Sequence, residues 1–118
     1  MSERTKSEAF FRMPPMNYNC AQSLYMGWKN EFSFSDEDVE KLAPIKGGKA
    51  PGGLCGALYA ANLILDLRGL PHIDREFEEV AGATTCAQIK SVTRYPCQLC
   101  VRLADELVEK RLGDNNKK

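Results

Sequence analysis

Five cysteines, Cys20, Cys55, Cys86, Cys97 and Cys100, are the residues of this 118-residue chain best suited to chemistry. A thiolate is both a nucleophile and a metal ligand. The odd count leaves one thiol over in any framework made only of disulfides. The opening MSERTKSEAFFRMPP has no apolar h-region and no cleavage signature, and no apolar run reaches the roughly 18 residues of a transmembrane helix. The expected setting is therefore the cytoplasm, away from the membrane, where thiols are kept reduced and cysteine-rich chains use them for metal or redox work. Only Cys97-Gln98-Leu99-Cys100 forms a tight CxxC pair. A zinc ribbon shows two such pairs, and no βαβ pattern surrounds this one to make it thioredoxin-like.

The remaining cysteines matter only if folding gathers them, so the elements that carry them come next. Asn19 is a good N-cap and Gln22 follows at capping-box spacing, which predicts a helix from there to about Glu31 with Leu24, Trp28 and Phe32 as its buried stripe. Ser35 before Asp36, Glu37 and Asp38 starts a short helix limited by Pro44. KGGKAPGG, residues 46–53, reads as a loop. Residues 54–67 are apolar nearly all round and read as the most buried helix, ended by Gly69 and Pro71. A short acidic helix over 73–81 stops at Gly82. Thr85-Cys86-Ala87-Gln88 repeats the capping chemistry of Asn19-Cys20-Ala21-Gln22. Pro96 introduces a last helix from Cys97 to about Leu112 with Leu99, Leu103 and Leu107 as its stripe.

These elements predict an all-α fold: one small bundle of about five helices. Residues 1–14 form a loosely held lead-in, 15–112 the cysteine-containing domain and 113–118 a frayed tail. No segment alternates as a strand. Four cysteines, Cys20, Cys55, Cys86 and Cys97, fall in the first turn of an expected helix, where free N–H groups and the positive end of the dipole favour a thiolate. Cys100 lies one turn beyond Cys97. With 16 basic and 16 acidic residues the formal net charge is zero, so the electrostatic footprint of a nucleic-acid binder is missing. His72, the single histidine, reads as a surface loop residue. Phe10-Phe11 offers a docking point for a second subunit, and hence for a homo-oligomer.

On these residues the chain resembles the C_GCAxxG_C_C family, redox-active proteins named for their cysteine pattern. The early cysteine corresponds to Cys20 in NYNCAQSLY. The central motif corresponds to Cys55-Gly56-Ala57-Leu58-Tyr59-Ala60, the third cysteine to Cys86 in TTCAQI, and the fourth to Cys97 in CQLCVRLADELV. The resemblance runs from about residue 17 to 110. Two departures stand out: Ala60 replaces the motif's last glycine, implying looser packing there, and Cys100 is an addition to the pattern. A similar domain occurs in split-Soret cytochromes, where it goes with an iron–sulfur centre, and no CxxCH haem motif is present here.

The resemblance and the four thiolates together imply an iron–sulfur or related metal cluster on Cys20, Cys55, Cys86 and Cys97, with Cys100 in reserve, serving electron transfer to a redox partner protein or redox sensing. Gly52, Gly53 and Gly56 would let backbone approach the cofactor. A second reading is a thiol–disulfide protein in which Cys97 or Cys55 attacks and Cys100 or Cys86 resolves. A third is a non-enzymatic domain with structural zinc or only buried thiols.

Overall fold

The computed structural model describes residues 6–14, 17–45 and 50–116. Its helices are α1 (Cys20–Phe32), α2 (Asp36–Glu40), α3 (Gly56–Leu67), α4 (Asp74–Ala81), α5 (Cys86–Gln88) and α6 (Cys97–Asn116). No strand occurs among the described residues; the one extended pairing is an isolated antiparallel bridge between Leu54 and Thr85. The all-α expectation holds. The loop expected at 46–53 is described from residue 50, and Pro51–Gly53 forms a 3-10 turn; residues 46–49 lie outside the described residues.

Three helices, α1, α3 and α6, pack against one another, with α4 on α6 and α2 on α1. The centre is α3, which buries Ala57, Leu58, Ala60, Ala61, Ile64 and Leu65. Its alanines keep the flanking helices close, and Ala60, where the family motif has glycine, is fully buried. Asn62 is the polar exception. It accepts the Ile73 N–H at 3.1 Å and donates to Asp74 Oδ1 at 2.7 Å, and so fixes the start of α4.

Local sequence accounts for most helix ends. Asn19 and Gln22 form the reciprocal capping box of α1, and Ser35 and Asp38 that of α2. Gly82 closes α4 at φ +87°. Other boundaries shift. Helix α3 starts at Gly56 with Cys55 as its N-cap, because Cys55 has non-helical backbone at φ −55° and ψ +132°; its N–H is engaged by the Thr84 carbonyl at 2.8 Å. After α5 the chain widens into a π-helical turn, Ile89–Thr93, ended by Arg94 in the left-handed region. Helix α6 runs past Leu112 and through Gly113 to Asn116.

Of the stripe expected on α6, Leu103 is buried and Leu99 and Leu107 are half-buried, whereas the fully buried residues are Cys100, Val101, Ala104, Asp105 and Val108. The leucine spacing alone does not register the small residues on which α1 and α3 close.

Of the segment before Pro14, read from sequence as loosely held, the described part begins at Lys6 and is anchored at Ser7. This residue is fully buried; its N–H donates to Asp105 Oδ2 at 2.6 Å and its hydroxyl to the Leu24 carbonyl at 3.2 Å. Gly27 makes room: a Cβ there would stand 2.0 Å from Ser7 Oγ. Lys6 adds an exposed ion pair with Glu109.

Candidate cysteine site

The loops and helix starts on one side of α1, α3 and α6 enclose a cavity of about 490 Å³, within the range of small-ligand and cofactor sites. All five cysteines line it. Each is brought there by a separate local device. Asn19, besides capping α1, donates its side-chain N–H to the Leu42 and Ala43 carbonyls at 2.9 and 3.1 Å, which ties Cys20 to the turn after α2. The Leu54–Thr85 bridge and the bond from Cys55 N–H to Thr84 bring Cys55 beside the start of α5, where Thr85 Oγ1 caps the Gln88 N–H ahead of Cys86. Cys97 opens α6, and Cys100 follows one turn on, its N–H bonded to the Pro96 carbonyl at 3.0 Å.

Gly56 is the point of closest approach between α3 and α1. A Cβ on it would stand 3.3 Å from both Ala21 N and Ile45 O and 3.5 Å from Cys20 Cβ. Glycine is thus a packing requirement at this point of the cavity wall. Gly52 and Gly53, expected beside it, are not among the lining residues. They adopt φ of +72° and +73° with open space around them, and so bend the chain into Cys55.

Within the cavity side-chain hydrogen bonding couples the charge of Cys20 to that of Cys97 and the charge of Cys55 to that of Cys100, and the Cys100 sulfur lies 4.0 Å from the Tyr95 carbonyl. In the first pair the bond from Cys20, helped by the Lys90 and Arg12 cations, draws the Cys97 thiol down to about 6 in spite of burial. The same bond, burial and the neighbouring sulfurs push Cys20 up. In the second pair the bond from Cys100 lowers Cys55, and the Leu58 and Ala57 N–H groups at the start of α3 act in the same direction against burial. Cys100 is pushed up by its bond to Cys55 and by burial. Cys86 belongs to neither pair but lies within electrostatic reach of Cys100.

Several lining residues were not legible as site residues. Phe11 and Arg12 arrive from the docked lead-in, Tyr18 and Asn19 from the approach to α1, and Ile89 and Lys90 from the π-helical turn. Arg12 and Lys90 give the cavity a cationic side facing Cys97. Phe11, read as a docking point for a second subunit, packs against the core. His72 is half-exposed beside Asp66 at 2.7 Å, away from the cavity, as its loop position suggested.

A family model described as "Putative redox-active protein (C_GCAxxG_C_C)" matches residues 18–111, which contain all five cysteines. The chain belongs to this family. A redox role comes with that membership. No curated protein and no solved structure matches the chain, so any cofactor has to be argued from its own residues.

The donor set matches an iron–sulfur cluster in number and kind, with five thiols lining one cavity beside cations and helix N-termini. Among the described residues no three histidine, cysteine or acidic side chains stand together closely enough to hold a metal ion as they are placed. No described helix is long and apolar enough to cross a membrane.

Proposed function

We propose that this protein is a redox protein that holds an iron–sulfur cluster in its cysteine cavity and serves electron transfer or redox sensing. The observation that carries the proposal is the meeting of Cys20, Cys55, Cys86 and Cys97, from four separate helix starts, around one space of about 490 Å³. Four thiolates are the usual complement of such a cluster, and Cys100 is the extra donor. When bound, the cluster supplies a one-electron couple. The chain's own residues do the rest. Asn19 and the Cys55–Thr84 bond hold the sulfurs in place. The free N–H groups of α1, α3 and α6 stabilise negative charge on sulfur, which raises the potential. Arg12 and Lys90 add to that field, while Phe11, Ile45 and Ile89 limit access of water.

The test is chemical analysis of protein purified without oxygen, or reconstituted with iron and sulfide. The expected product is coloured and contains iron and acid-labile sulfide, both lost when Cys97 is replaced by Ser. Colourless protein without iron after careful reconstitution would remove the cluster. Stoichiometric zinc in its place would favour a structural metal.

A further inference from the structure

The chain carries equal numbers of basic and acidic residues, yet the cysteine cavity does not share that balance. Two cations, Arg12 and Lys90, line it, and no carboxylate does. Among the described residues neither cation is in an ion pair. The smaller cavity beside α6, of about 170 Å³, is the contrast. There Lys6 pairs with Glu109, and Arg102 stands between Glu8 and Glu106, so its cations are already answered by acids.

The two free cations are also placed with care. Arg12 takes φ +54°, uncommon for a residue other than glycine. Its N–H is held by the Tyr18 carbonyl at 2.9 Å, and its guanidinium carbon lies 5.1 Å from the centre of the Phe11 ring. A guanidinium seated on a ring keeps its N–H edge available for an oxyanion. Lys90 belongs to the π-helical turn Ile89–Thr93, a distortion that recurs at functional sites. Both residues are exposed, so an ion can reach them. Phe11, Ile45 and Ile89 supply apolar wall. A cleft with charge of one sign and low-dielectric walls focuses its field on an incoming ion. About 490 Å³ is room for a small organic molecule.

We propose that the cysteine cavity binds a small organic anion, its oxyanion group held by Arg12 and Lys90 and its apolar body packed on Phe11, Ile45 and Ile89. The site brings such an anion beside the thiols. It goes beyond the cluster reading and does not rest on it, because the residues that recognise the anion are not the cysteines.

The test compares two small probes on the full chain, reduced and free of metal. Iodoacetate and iodoacetamide have nearly the same shape and differ in carrying a carboxylate or an amide. Both attack the same thiolate, so the acidity of a thiol cancels from the ratio of their rates. The ratio is read by peptide mapping at the half-buried thiols Cys20, Cys86 and Cys97, with N-acetylcysteine amide as the uncharged reference. At one or more of them iodoacetate should be favoured about fivefold over the reference, the effect of one unit charge about 4 Å away in water. The preference should fall in Arg12→Gln and in Lys90→Gln and persist in Lys90→Arg, which keeps the charge. Butyrate or butyl phosphate should slow the iodoacetate reaction, and the stronger competitor tells a carboxylate from a phosphate ligand. A ratio equal to the reference at all three thiols would overturn the proposal. So would a preference that survives either glutamine variant or is lost in Lys90→Arg. Inorganic phosphate competing as well as both organic anions would remove the apolar body from the account. Iron content is measured separately, and neither result decides the other.

Discussion

At the scale of single residues, the property that matters is the charge on sulfur. Cys97 sits where a thiol from Cys20, two cations and a helix start all favour the anion, which places it at about 6 against an ordinary value of 9.0. In metal-free, reduced protein its alkylation rate should therefore rise with pH through a midpoint near 6, because the reactive thiolate is present above that value and lost below it. Peptide-resolved iodoacetamide labelling measures this. Lys90→Ala or Arg12→Ala should move the midpoint upward, since each removes a charge that favours the anion. A midpoint left unchanged in both variants would show that the cations do not reach the sulfur. The cysteines and the helix-start logic were readable in the sequence because capping residues announce themselves within a few positions. Arg12 and Lys90 were not, because nothing local says that a surface cation will face a sulfur across a cavity.

At the scale of elements, the site depends on how closely helix starts approach. Gly56→Ala would place a methyl group 3.3 Å from the Ala21 N and the Ile45 carbonyl. The expected loss is about 1–3 kcal/mol of unfolding free energy, measured by denaturant titration. Asn19→Ala removes the α1 cap and leaves the Leu42 and Ala43 carbonyls without that partner; about 1–2 kcal/mol should be lost. Gly27→Ala acts elsewhere, driving Ser7 off α1. It should expose the Phe11–Arg12 side of the cavity and speed alkylation of Cys20 and Cys97, and an unchanged labelling rate would mean that the lead-in does not cover the site. Capping boxes, the Gly82 stop and the buried character of α3 followed from local pattern. The docking of Ser7 and the burial of the small residues of α6 did not, because each depends on a neighbouring element: Gly27 for the first, and the packing of α1 and α3 on α6 for the second.

At the scale of the whole molecule, three packed helices carry their cysteine-bearing starts to one side, and that convergence makes a redox function intelligible in a chain with no net charge, one histidine and no described membrane-spanning helix. The sequence resemblance pointed to Cys20, Cys55, Cys86 and Cys97, and long-range packing brings them, with Cys100, around one cavity. The central claim is that these sulfurs act together as a redox centre. Its most direct measurement is an oxygen-free potentiometric titration of the reconstituted full chain, followed by visible absorbance and repeated with Cys55→Ser/Cys97→Ser. A reversible transition in the parent that vanishes in the double variant is the result predicted. A featureless parent, or a transition that survives the loss of both cysteines, would contradict it.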